Sequence, residues 1–382
     1  MNLARLFSRG RMRDLEVAVR VARGDLLACT WPTMNDTSYA RADPPLTIHW
    51  IVPPVLIGSG GHHNIVRFIR YLESRGHGNR IYLYDPKMFQ DQSTFESILR
   101  RHYPPVKAEV RSGTDGLSEC DAALATSWET AYPLFNLVTR AKKFYFVQDY
   151  EPHFHPVGSE SALAENTYRF GFYGITAGLW LRNKLSTEYS MSCDHYEFGS
   201  NPRTYSYTND ATRRRVVFYA RPATPRRGFE LGIFALEKFA RSHPEYEIVL
   251  VGADTTEYRL PFSARRYRVL DGRQLNELYN QSACALVLSM TNMSLLPLEL
   301  LAAGCIPVVN DGPNTRLVAG SSYIKYAQSS PAALAQAMHE VVTTSNLPRY
   351  AEMAAASVSE LRWEDAGAKV EAILISELAK GS

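Results

Sequence analysis

Short apolar runs alternate with helical segments along most of this chain, and the alternation starts afresh once, after the polar, turn-rich stretch GSNPRTYSYTNDATRRR (199–215). Such alternation demands parallel sheets, because two consecutive parallel strands need a crossover long enough to hold a helix. In the first half the strands read as TIHWIVPP (47–54), RIYLYD (80–85), a weaker AEVR, DAALAT (121–126) and KKFYFVQD (142–149). The second half offers RVVFYA (215–220), YEIVLVG (246–252), YRVL (267–270), CALVLS (284–289) and IPVVN (306–310). With 382 residues the chain exceeds what one hydrophobic core serves, so the restart marks a second α/β domain. The expected divisions are a helix and linker over 1–44, a first domain over 45–205, a second over 206–347 and a C-terminal helical segment over 348–382. In the last of these, Trp363 lies on a face able to return to the first domain.

A formal net charge of +3 is too small for the dense basic face of a nucleic-acid binder. Five cysteines, odd in number and far apart, form no C-x-x-C pair, which points to reduced thiols in a cytosolic protein without disulfides or zinc. No apolar run reaches the ~18–20 residues that span a bilayer, and the basic N-terminus lacks a secretory apolar region. A cytoplasmic location is therefore expected. Residues 1–27 set Arg5, Arg9, Arg11, Arg13, Arg20 and Arg23 beside Leu3, Leu6, Phe7, Leu15, Val19, Ala22 and Leu26 at helical spacing. Two readings of this basic amphipathic helix stay open: peripheral contact with the anionic inner face of a membrane, or docking on the protein's own body or a partner chain.

In open parallel sheets, ligands bind beyond the carboxyl ends of the strands, so the loops there carry the functional signal. The first, Gly58 to Asn64, opens a Rossmann-like strand, loop and helix, and Gly60 and Gly61 let a ligand approach the backbone. A dinucleotide fingerprint, and with it a nicotinamide-dependent oxidoreductase, is the rival reading; the third glycine of G-x-G-x-x-G falls on His63. The second loop carries Arg221, Arg226 and Arg227, three guanidiniums suited to bidentate contact with a diphosphate, or else a solvated run. The third leads from Ser289 into a helix near Ser294 and Leu295, whose free N–H groups suit phosphate. One turn on, Glu299 suits a ribose diol, the other reading being a buried ion pair with an arginine of the preceding loop.

The R-P-x-T-P-R-R-G loop, the S-L-L-P-L-E helix with A-x-G-C-x-P-V-V after it, and the C-terminal R-W-E resemble the donor lobe of glycosyltransferase family 4. Together with FVQDYEPHFHPVGS (146–159), the resemblance narrows to the WsaF group of rhamnosyltransferases and covers about residues 45–375. It implies a GT-B fold, two Rossmann-like domains whose parallel sheets face an interdomain cleft. It further implies a nucleotide-sugar donor, dTDP-β-L-rhamnose, and a growing lipid-linked glycan as acceptor. Glu299 matches the second glutamate of the family's E-x7-E pattern, while the first falls on Thr291. Arg221 matches the family's arginine, Arg226 or Arg227 stands in for its lysine, and Gln148-Asp149 occupies the place of its first-lobe histidine.

The donor set is then Gly60, Gly61, Arg226, Leu270 at the end of YRVL, Ser294, Leu295 and Glu299; the acceptor side is His62, His63 and His153. Asp149, Arg221 and Arg227 are the catalytic candidates. Asp149 would accept the acceptor's proton if the reaction inverts or steady the sugar cation if it retains, unless it only caps a turn. The Asp149-x-Glu151 pair resembles a metal-binding D-x-D, but the arginines already supply the leaving-group charge, so no metal or cofactor is expected. A non-catalytic partner in glycan assembly is the third class kept open.

Overall fold

The computed structural model describes residues 20–33 and 38–381. Two all-parallel sheets carry the strands. The first holds β1 (Thr47–Val52), β2 (Gly78–Leu83), β3 (Glu109–Ser112), β4 (Ala122–Ala125), β5 (Lys142–Val147), β6 (Tyr173–Ala177) and β7 (Cys193–Tyr196), in spatial order β3-β2-β1-β4-β5-β6-β7. The second holds β8 (Arg215–Tyr219), β9 (Glu247–Val251), β10 (Ala264–Tyr267), β11 (Ser282–Val287), β12 (Ile306–Asn310) and β13 (Lys325–Ala327), in order β10-β9-β8-β11-β12-β13. Each sheet reverses its order once, between β1 and β4 and between β8 and β11, which opens a crevice at those carboxyl ends.

Burial explains the apolar runs. β4 (AALA) and β11 (SACALV) are buried along their whole length, as strands covered by helices on both faces must be. The helix Gly60–Ser74 turns Ile65, Val66, Phe68, Ile69 and Leu72 to the sheet, and the Ser59 side chain accepts from the His62 N–H at its start. The last helix, Trp363–Leu378, belongs to the first lobe although it follows the second in sequence, packing on Gly60–Ser74 and β7. Gly367 permits this: a Cβ there would lie 2.4 Å from the Tyr71 ring. Arg67 completes the seam, its guanidinium carbon 3.8 Å above the Trp363 ring.

Some local expectations shift. YRVL is not a strand: β10 lies three residues earlier, Asp271 caps the next helix, and Leu270 falls in the turn between. The third-loop helix begins at Leu296 rather than near Ser294, with Leu295 as its cap. β6, β7 and β13 were not anticipated, being short and, in the case of CDHY, polar. Of the segment 1–27, residues 1–19 lie outside the described residues. The rest forms the short helix Arg23–Ala28 against the helix Trp128–Asn136 of the first lobe, where Tyr84 Oη donates to Asp25 (2.7 Å) and Asn136 to the Asp25 carbonyl (2.9 Å). Among the described residues no helix is long and apolar enough to cross a membrane.

Candidate functional site

The carboxyl ends of the two sheets face each other across a cavity of about 550 Å³. Its walls are the glycine loop after β1, the segment Gln148–Phe154 after β5, the arginine loop after β8 and the residues that follow β11.

The arginine loop is shaped by Pro225, which opens a single tight turn, and by Gly228, whose φ of +58° ends it in the left-handed region that favours glycine. Arg221 Nη2 donates to Tyr219 Oη at 2.8 Å, and Arg227 Nη1 donates to Ser289 Oγ at 2.7 Å. Arg226 lays its guanidinium carbon 3.8 Å over the Phe154 ring, with Nε 3.8 Å from Asp149 Oδ2. The Nε atoms of Arg221 and Arg226 are buried and have no hydrogen-bond partner among the described residues. Burial pulls the pKa of Arg226 and Arg227 below the ordinary guanidinium value, opposed mainly by Asp149. A guanidinium nevertheless stays cationic at neutral pH, so the wall carries undercompensated positive charge.

Asp149 ties the lobes together. Its carboxylate accepts from Tyr150 N (2.8 Å), Thr291 Oγ1 (3.0 Å) and Asn292 N (2.7 Å). Asn292 adds two bonds across the cleft, its amide donating to the carbonyls of Gln148 (3.1 Å) and Ala177 (2.9 Å). Both Asp149 oxygens are thus engaged. Glu151, two residues on, turns the other way, accepting from Trp128 N (2.5 Å) and Tyr145 Oη (3.0 Å). The two carboxylates therefore do not converge as a metal-binding D-x-D would need. Burial, and then the nearby Glu129, hold the Glu151 carboxyl well above the usual carboxylate range.

Gln148 Nε2 donates to the Gly61 carbonyl (3.1 Å) and its Oε1 accepts from Asn64 (3.1 Å), which fixes the glycine loop against β5. His62 also lines the cavity; burial brings it down to about 4, so it is neutral, with Nδ1 2.8 Å from Ser59 Oγ. The cavity thus gathers Gly60, Gly61, His62, Asp149, Arg221, Arg226, Arg227, Ser294 and Leu295.

Four candidates lie outside that lining. His63 packs on Tyr103 with ring centroids 4.4 Å apart, and His153 stands edge-on to Tyr150 at 4.6 Å. Leu270 follows β10 in its turn. Glu299 sits one turn along the helix Leu296–Ala302, where burial pushes its carboxyl up to about 8 against the opposing pull of Arg67 and Tyr205. The cation facing it comes from the first lobe; among the described residues it forms no ion pair with the arginine loop. Sequence reasoning missed Asn292 as a lobe-joining residue and Glu151 as a buried acid, because their partners are distant in the chain.

Residues 214–339 match the family model described as the WsaF C-terminal domain and residues 107–177 that of the WsaF N-terminal domain, together just over half of the chain. The chain is 32% identical over 356 residues to the O-antigen biosynthesis protein RfbC of Myxococcus xanthus, covering 88% of this chain and 27% of that protein. It therefore spans about a quarter of that relative's length. Among solved structures, Anabaena Alr3699/HepE in complex with UDP-glucose aligns with a TM-score of 0.65 at 14% identity, covering 88% of this chain and 98% of that one. A glycosyltransferase from Rickettsia africae aligns with 0.64 at 15%, covering 88% and 99%. Identities this low speak to the shared fold.

Proposed function

The chain belongs to the WsaF-like GT-B glycosyltransferases, and from that premise we propose that it transfers a sugar from a nucleotide diphosphate to a growing surface polysaccharide. The observation that carries this reading is the convergence of Arg221, Arg226 and Arg227 on the wall of a cavity between two sheet ends, where Asp149 is the carboxylate that faces Arg226 and Arg227. A guanidinium is satisfied by an oxyanion that accepts two parallel N–H groups, and a diphosphate offers several. Three cationic side chains aimed there stabilise the charge that develops as the nucleotide leaves, so this mechanism draws its electrostatic assistance from protein groups rather than from a metal ion.

In the finer form of the proposal the donor is dTDP-β-L-rhamnose and the acceptor a lipid-linked oligosaccharide on the first-lobe side. The likeness to the WsaF group and the 32% identity to an O-antigen biosynthesis protein support it. The solved relative bound to UDP-glucose supports a nucleotide sugar in the cleft. The resemblance assigns the ribose to Glu299, which is buried outside the cavity lining with Arg67 as the compensating charge, so in this form of the proposal the pocket deepens toward it when the nucleotide binds. Thermal melting with dTDP, UDP, GDP and ADP tests the reading, because a ligand that binds only the folded state raises the melting temperature. Stabilisation by dTDP, followed by transfer from dTDP-rhamnose, is expected. No shift with any nucleotide would overturn the transferase reading, and a shift with UDP alone would replace the donor.

A further inference from the structure

Four large apolar side chains protrude from neighbouring loops on the rim of the first lobe: Leu56 (66% exposed), Ile57 (64%), Met88 (88%) and Phe89 (72%). The loops follow the adjacent strands β1 and β2 and are joined by design of their polar groups. Val55 N donates to Gln90 Oε1 at 2.9 Å, and Gln90 Nε2 returns to the Val55 carbonyl at 2.7 Å. The Asp85 carboxylate accepts from Gln90 N (2.7 Å) and Lys87 N (3.3 Å), closing the turn that holds Met88 at φ +55°. A left-handed conformation is uncommon for a non-glycine residue. Here the polar groups fix the loops while the apolar groups point away from the core, the reverse of what packing alone would select.

A basic element meets the same rim. The helix Gln92–His102 ends in Arg100, Arg101 and His102, and the next residue, Tyr103, donates through Oη to the Leu56 carbonyl at 2.5 Å. Arg101 and His102 are exposed, and Lys87 lies beside Met88. Leu56 and Ile57 are also part of the outer wall of the interlobe cavity, so the patch runs into the mouth of the cleft.

Protruding apolar tips flanked by cations fit the interface of an anionic bilayer, where the tips enter the headgroup layer and the cations face lipid phosphates. We infer that the rim formed by Leu56, Ile57, Met88 and Phe89, with Lys87 and Arg101, docks the first lobe on an anionic membrane surface. The cleft mouth then opens onto the plane in which a lipid-linked acceptor lies; this last clause rests on the transferase reading, the docking itself does not.

The test uses the full chain and the double variant Met88→Asp/Phe89→Asp, neither residue being part of the cavity wall. Both proteins are co-sedimented with vesicles of phosphatidylglycerol and phosphatidylcholine, and with phosphatidylcholine alone. The parent should bind the anionic vesicles and the variant at least tenfold more weakly, with nucleotide-induced thermal shifts unchanged in both. A second variant, Lys87→Glu/Arg101→Glu, should show the same loss, which added salt reproduces in the parent. Equal binding by the variants overturns the proposal and assigns attachment elsewhere, for instance to residues 1–19. A parent that ignores vesicles overturns it too, as does one that dimerises through this rim while the variant is monomeric. A failed nucleotide shift with intact vesicle binding would count against the transferase reading alone.

Discussion

The Thr291 hydroxyl donates to the Asp149 carboxylate at 3.0 Å, so Thr291 is part of a clasp between the lobes. Placing Thr291→Glu opposite Asp149 would bring two carboxylates together in a buried site beside one arginine already shared with Asp149. Thr291→Val removes a single hydrogen bond, a change of about 1 kcal/mol. The glutamate variant should therefore melt a few degrees lower than the valine variant and scatter X-rays as a more open particle. Equal melting and equal radii for both would show that the clasp does not hold the lobes.

Arg221 lines the cavity, its guanidinium held by a hydrogen bond to Tyr219 Oη. Arg221→Ala should weaken binding of a nucleoside diphosphate by roughly 10- to 100-fold, the range for losing a hydrogen bond to a charged group. Binding of the corresponding nucleoside, which has no phosphate, should change little. Calorimetry with both ligands separates the two cases, and a parallel loss for the nucleoside would mean that the arginine shapes the pocket rather than meeting phosphate.

Glu299 makes stability depend on pH in a defined direction. Its carboxyl, ordinarily at 4.5, is pushed up to about 8 by burial, with Arg67 and Tyr205 pulling the other way. Between those values the folded protein keeps a proton that the unfolded chain has released. The stability tied to the neutral form is complete below the lower value and is lost as pH rises through the upper one. Glu299→Gln, always neutral, should flatten this decline. The variant should match the parent at pH 5 and exceed it at pH 9 in melting temperature; parallel curves across that range would return Glu299 to an unperturbed acid.

Much of this architecture is legible without coordinates, for a physical reason. Strands such as DAALAT and CALVLS are buried on both faces, so they announce themselves as unbroken apolar runs, and the glycine and proline loops between them mark the sheet ends. The arginine loop was visible for the same reason, since three guanidiniums at a strand end have few structural uses. What stayed hidden depends on pairing across the fold. Nothing local in CDHY (193–196) marks an edge strand. Nothing near Thr291 or Asn292 says that their partners are Asp149, Gln148 and Ala177, more than a hundred residues away. His63 and His153 stood as acceptor-side candidates because a histidine beside a loop carries no sign of which way its ring will pack, and both pack on tyrosines.

Arg213 fixes the linker between the lobes to the second sheet. It is 1% exposed, and its guanidinium donates to the carbonyls of Ala303 (3.0 Å), Asn209 (3.0 Å), Tyr279 (3.3 Å) and Ser282 (3.4 Å). Two of these carbonyls, those of Tyr279 and Ala303, lie at the ends of the helices Gly272–Asn280 and Leu296–Ala302, where main-chain acceptors lack helical partners. Arg213→Met keeps the apolar stem and deletes every donor, leaving buried acceptors bare at a cost of about 3–5 kcal/mol by analogy with breaking a buried charged network. Arg213→Lys restores one ammonium but not the planar fork, so it should recover only part of the loss. Hydrogen exchange is the informative readout, because a two-lobed protein need not unfold in one step. Amides over 205–214 should exchange faster in the methionine variant and at an intermediate rate in the lysine variant, while β1, β4 and β5 of the first sheet keep the parent's rates. If the linker stays as protected in Arg213→Met as in the parent, the linker is held by Tyr205 and Tyr207 packing, and the guanidinium network is dispensable.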